Sequence, residues 1–188
     1  MEQFWKDFKE AIDAALPDHN KALVHGEGPK RPRLMLIGEA PGEQESLMGR
    51  PFVGKAGKNL DHFLELAGLE RSEIYISNVV KYRPTKSGKT GRLSNRPPTR
   101  QEVEIFTPWL LREIELIEPE MIVTLGNVPL KALTAPQVTI GEMHGRIVQE
   151  NKANRPLYAL YHPASLIYNR SLEAVYEADV LKLPSLLK

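Results

Sequence analysis

Phe4, Trp5, Phe8, Ile12 and Leu16 recur at helical spacing with charged residues between them, so the chain opens on an amphipathic helix that Pro17 ends. Arg33 to Ile37 has strand length and flows into the loop Gly38-Glu39-Ala40-Pro41-Gly42. Leu60, Phe63, Leu64 and Ala67 follow the i, i+3, i+4, i+7 rule and predict a helix that stops at Gly68. A short β-rich run from Ile74 to Val80 leads into Lys81-Tyr82-Arg83-Pro84. Between Thr85 and Pro98 almost nothing is apolar, which predicts an exposed, mobile, basic loop. Thr99 and Glu102 form a capping box for a helix whose buried stripe is Val103, Phe106, Leu110, Ile114 and Ile117. Pro108 is expected to kink it, because the carbonyl of Glu104 loses its donor.

Further strands are predicted over Met121 to Leu125 and Pro156 to Tyr161, with a turn at Gly126-Asn127 and a short helix to Leu133 between them. Val138 to Gln149 reads as a β-rich excursion broken by glycines, and a helix from Ser171 to Leu183 closes the chain. Strands alternating with helices imply a three-layer α/β/α sandwich around a central, mainly parallel four-stranded sheet. The 188 residues suffice for one well-buried core, so residues 1–188 are expected to form a single domain. The loops at the strand ends carry Glu39, Glu45, Asn78, Asn127, His162 and Ser165, and in parallel sheets the ligand crevice lies outside the carboxyl ends of the strands.

Composition narrows the chemistry. With 25 Lys and Arg against 24 Asp and Glu, any attraction for a polyanion must come from local clustering such as Lys86, Lys89, Arg92 and Arg96. The sequence has no cysteine, which excludes disulfides, thiolate-bound zinc, iron–sulfur clusters and thiol nucleophiles from these residues. The five histidines show no metal-binding spacing, so neither a metal nor another cofactor is expected. No apolar run has the length that spans a bilayer, and the expectation is a cytoplasmic monomer with no membrane contact.

The loop Gly38-Glu39-Ala40-Pro41-Gly42-Glu43-Gln44-Glu45 and the segment Pro51-Phe52-Val53-Gly54-Lys55-Ala56-Gly57 carry most of the information. Glycines at 38 and 42 admit close ligand approach, and Pro41 fixes the turn. With Asn78 in SNVVKYRP, the NRPPT stretch, VTLGN and YHPASL, these motifs fall in order between Leu34 and Leu166. They resemble the uracil-DNA glycosylase superfamily, most closely its iron–sulfur branch, family four. That branch holds its cluster with four cysteines, and here Tyr82 and Phe106 stand at two of those positions while the N-terminal pair is absent.

The resemblance implies an enzyme that flips uracil out of DNA and hydrolyses its N-glycosidic bond, leaving an abasic site. It implies Phe52 as a stacking platform for the flipped base, with Gly38 and Ala40 beside it. Asn78 would read the pyrimidine edge, whose O4 and N3–H match one amide. Glu45 would crowd the C5 position against thymine. His162 would donate to the base oxygen as negative charge develops there. Glu39 would orient water or stabilise the cationic sugar, since Ala40 replaces the aspartate of the best-studied branch. Lys55, Lys81, Arg83 and Ser165 would hold phosphates, and Leu166 would fill the vacated stack. The residues alone leave open a binding module with little catalysis, or a glycosylase for another deaminated base. A small-molecule α/β hydrolase is disfavoured by the lack of a nucleophile elbow or Walker pattern.

Overall fold

The computed structural model describes residues 1–16, 22–88 and 91–187. In chain order the elements are α1 (Glu2–Ala15), β1 (Leu34–Gly38), α2 (Glu43–Met48), α3 (Lys55–Leu66), β2 (Tyr75–Asn78), β3 (Thr85–Ser87), β4 (Leu93–Asn95), α4 (Arg100–Ile117), β5 (Met121–Leu125), α5 (Asn127–Leu133), α6 (Ile140–Met143), β6 (Ile147–Val148), β7 (Leu157–Leu160), α7 (Ser165–Tyr168), α8 (Glu173–Val180) and α9 (Leu183–Leu186). Pro17, expected to end the first helix, and Lys89 of the basic run lie outside the described residues.

The main sheet has the order β2-β1-β5-β7-β6. Its first four strands are parallel, as the alternation of strands and helices implies, and the two-residue β6 adds an antiparallel edge. Every residue of β1, β2, β5 and β7 is buried, so both faces of the sheet must be covered. Alternation along β1 does this directly. Met35 and Ile37 pack with Phe8, Ile12, Phe106, Leu110 and Ile114 on one side. Leu34 and Leu36 pack with Leu60, Phe63, Tyr176 and Val180 on the other. The result is a three-layer sandwich with β1 and β5 at its centre.

Several expected segments differ. The closing helix expected over Ser171 to Leu183 is divided into α8 and α9, and Glu43–Met48, read as part of the first loop, forms α2. Residues 85–98 contain a hairpin, with Thr85 opposite Asn95 and Ser87 opposite Leu93. The Gly88 amide donates to the Arg92 carbonyl at 2.9 Å and Gly91 has φ +75°, backbone that glycine adopts freely, so the two strands close even though they are polar. Residues 138–149 are not mainly extended, for α6 occupies Ile140–Met143 and only Ile147–Val148 pair as a strand. The Asn127 side chain accepts from the Ile140 amide and fixes the start of that helical turn.

The capping box at Thr99 and Glu102 is formed, and α4 runs on through Pro108. Glu102 does more than cap. Arg96 donates to both of its oxygens at 2.7 Å, and it also accepts from Tyr82 and from the Thr99 amide. Burial opposes its charge, but these donors outweigh burial and hold its carboxyl at about 2. Tyr82 meets Phe106 edge to face at 5.6 Å, and Phe106 meets Phe8 of α1 at 5.8 Å. Aromatic packing occupies the two positions where the iron–sulfur branch carries cysteines. A phenol tied to a carboxylate and a phenyl ring offer no thiolate, so the residues present do not fit an iron–sulfur cluster.

Candidate active site

At the carboxyl ends of β1, β2 and β7 lies a cavity of about 670 Å³ lined by Ala40, Glu45, Phe52, Lys55, Asn78 and His162, among others. Gly38, the last residue of β1, brings two of these side chains together. A Cβ at Gly38 would lie 2.4 Å from Asn78 Oδ1 and 2.7 Å from the Phe52 ring. Only a hydrogen fits there, so glycine at 38 is a condition for Phe52 and Asn78 to meet. Phe52 is held with φ +52°, an uncommon conformation for an aromatic residue, and its ring is 5.8 Å from the His162 ring at 30° between planes. The side chains thus converge from three separate parts of the chain.

The loops are fastened by Glu45. Its carboxylate accepts from the amides of Gly42 at 3.1 Å, Val53 at 3.0 Å and Gly54 at 2.7 Å. One buried side chain therefore caps α2 and ties the Gly38–Gly42 loop to the loop that carries Phe52. The spacing of Glu45 from Gly42 was a readable helix-start signal, whereas its grip on Val53 and Gly54 required the fold.

His162 Nδ1 accepts from the Ala164 amide at 3.1 Å, so the neutral ring carries its proton on Nε2. Burial pushes its pKa down to about 4, with the Glu45 charge pulling weakly the other way. It is a neutral hydrogen-bond donor. Glu39 is half-buried, and desolvation raises its pKa above the ordinary carboxylate value. Its carboxylate accepts no hydrogen bond from the described residues, unlike that of Glu45.

The expected phosphate contacts divide. Lys55 is exposed beside the cavity at the start of α3, and Ser165 is half-buried in the His162 loop. Arg83 pairs with Glu43 at 2.7 Å and donates to Asn95 Oδ1, which leaves its guanidinium only partly available. Lys81 does not fit the expectation, because it is 1 % exposed and its ammonium is bonded to Ser77, Asn78 and Glu113. All three of its donors are spent inside the protein. Leu166, expected as the wedge, packs half-buried against the layer containing Phe63. Ile167 and Tyr168, 48 % and 88 % exposed, stand at the cavity mouth instead. A four-residue helix starting at Ser165 turns Leu166 inward and its two successors outward.

Arg92 and Asn95 also line the cavity, brought there by the hairpin. Their signal was the glycine pair at 88 and 91, which predicts a chain reversal between short polar strands.

The family model described as the uracil DNA glycosylase superfamily matches residues 25–182. The chain is 37 % identical over 174 residues to a Type-4 uracil-DNA glycosylase of Saccharolobus solfataricus, covering 89 % of this chain and 77 % of that protein. It is 36 % identical to the protein of the same name from Archaeoglobus fulgidus, over 87 % of this chain and 81 % of that one. A Type-4 uracil-DNA glycosylase of Thermotoga maritima is likewise 36 % identical, with 88 % and 83 % covered.

Proposed function

This chain belongs to the uracil DNA glycosylase superfamily, and we propose that it hydrolyses the N-glycosidic bond of uracil in DNA, leaving an abasic site for repair. The observation that carries the reading is the convergence of Phe52, Asn78 and His162 on one cavity.

The nucleotide is turned out of the stack at a cost of a few kcal/mol, and contacts in the cavity offset it. Phe52 takes the face of the base. The Asn78 amide takes O4 and N3–H, a pattern that cytosine does not present. As the bond lengthens, negative charge gathers on uracil and positive charge on the sugar. The Nε2–H of neutral His162 donates to the base oxygen where that charge develops, and because the ring is fixed by Ala164 it pays little reorganisation. Glu39 orients the attacking water and faces the cationic sugar, its carboxylate free of protein donors among the described residues. Glu45 holds the walls together and, beside the base, crowds C5 against the thymine methyl.

Lys55, Ser165 and Arg92 hold the flanking phosphates, while Ile167 and Tyr168 meet the gap in the duplex. The 188 residues act as one domain, a cytoplasmic monomer; no helix among the described residues is long and apolar enough to cross a membrane.

The test is conversion of U:G, U:A and single-stranded uracil oligonucleotides to abasic product, with Glu39→Ala as control. Product from the wild type alone supports the reading. Absence of product from the wild type at stoichiometric enzyme overturns it.

A further inference from the structure

On the side of β2 away from Phe52 lies a fully buried ion pair, Lys81 with Glu113 at 2.6 Å, exposed 1 % and 0 %. Ser77 Oγ donates to both Glu113 oxygens at 3.0 and 3.2 Å, and Tyr75 donates to the first at 3.0 Å. A Cβ at Gly26 would lie 2.3 Å from Glu113 Oε1, so the chain closes over the pair without a side chain. His25 is the remaining titratable group that senses it, with a pKa lowered by burial and by the Lys81 charge.

Such a pair is a poor source of stability. Removing two charges from water costs several kcal/mol each, and apolar replacements of similar volume are often as stable or more so. A different use is visible in the third bond of Lys81. Its ammonium donates at 2.6 Å to the backbone carbonyl of Asn78. Ser77 and Asn78 are successive strand residues, so their side chains stand on opposite faces of the sheet. The network grips β2 through Ser77 and the Asn78 carbonyl, and the Asn78 side chain emerges on the other face against Gly38 and Phe52. β2 is the edge of the main sheet, and on its outer side the Ile76 carbonyl is taken by the Glu27 amide, whereas the Asn78 carbonyl is taken by Lys81.

We propose that Lys81 and Glu113 are positioning residues for base recognition, a buried clamp that sets the depth and angle at which Asn78 enters the cavity. The proposal rests on the uracil reading of that cavity. The clamp fixes the backbone of the one residue whose amide must meet two groups of the base at once. An amide displaced by an ångström loses both bonds.

The test uses Lys81→Met with Glu113→Leu, which removes both charges together and keeps the volume filled, so that neither is left unpaired. The melting temperature is expected to fall, because Ser77 Oγ, the Tyr75 hydroxyl and the Asn78 carbonyl lose their buried partners, so the rate is measured well below it. Single-turnover uracil excision is expected to fall about 100-fold, the scale of a 1 Å misplacement. On an Asn78→Ala background the same pair of changes is expected to alter the rate by no more than about twofold, the ordinary scatter of independent sites. Equal fold losses on both backgrounds overturn the clamp, as does an unchanged rate in the Lys81→Met/Glu113→Leu protein. A second readout needs no turnover. The side-chain amide resonances of Asn78 in the free protein are expected to shift in the charge-free variant, and unshifted resonances overturn the clamp even if the wild type proves unable to excise uracil.

Discussion

The Phe52 and His162 rings face each other with 5.8 Å between centroids and 30° between planes. A base sandwiched between them would need about 7 Å, two carbon–carbon contact distances. A base lying on Phe52 would therefore meet His162 edge-on, the direction in which an imidazole N–H donates to an oxygen.

Phe52→Leu keeps an apolar side chain in a site that is 5 % exposed but removes the stacking face. Uracil excision, measured as kcat/KM, is expected to fall roughly 10- to 100-fold, the worth of one base–aromatic stack. A loss smaller than threefold removes Phe52 from base binding.

Glu39→Gln changes a carboxylate that accepts no hydrogen bond from the described residues, so the fold should not notice. The melting temperature is expected to stay within about 2 °C, and kcat to fall by about two to three orders of magnitude as water activation is lost. Retention of full kcat assigns that chemistry elsewhere.

Glu45→Ala leaves the amides of Gly42, Val53 and Gly54 without their acceptor. Unfolding in urea is expected to show a loss of about 3 kcal/mol or more, since a bond to a charged acceptor is worth roughly 1.5 to 3 and buried orphans add to the cost. Glu45→Gln retains one acceptor oxygen and should fall between. An unchanged midpoint for Glu45→Ala contradicts the clamp between the two loops.

His162 is expected to titrate near pH 4 and to carry its proton on Nε2 at pH 7, both readable from imidazole nitrogen shifts. The unfolded chain takes up a proton near 6.5 that the folded one refuses until about pH 4. The contribution of His162 to stability is thus complete above pH 6.5 and declines as pH falls toward 4. His162→Asn should flatten that slope. A midpoint near 6.5 in the folded protein would mean a solvated, chargeable ring.

Tyr168→Ala is expected to weaken binding to duplex DNA carrying an abasic analogue, with the melting temperature unchanged because the side chain is 88 % exposed. Leu166→Ala should instead lower the melting temperature, since Leu166 packs on the core. The reverse pattern in the two measurements restores Leu166 as the group that enters the duplex.

The sequence by itself determined the layered architecture and the order of the loops around the cavity. Burial on both sheet faces leaves continuous apolar runs, helices leave a 3.6-residue stripe, and glycines mark turns, Gly38 where a Cβ would collide with Asn78 and Phe52 and Gly126 where φ is +90°. The short motifs holding Phe52, Asn78 and His162 were legible for the same reason, because each is local. Tertiary structure alone decided where Lys81, Leu166 and the hairpin of β3 and β4 lie. A lysine at a strand end, two residues before an arginine, reads as a surface charge for phosphate until α4 brings Glu113 against it from 32 residues away. Whether Leu166 or Tyr168 faces outward depends on one turn of helix docking against α3 and α8. Local pattern records periodicity and conformational freedom, whereas the partner of a charge and the outward face of a short turn are set by what packs against them.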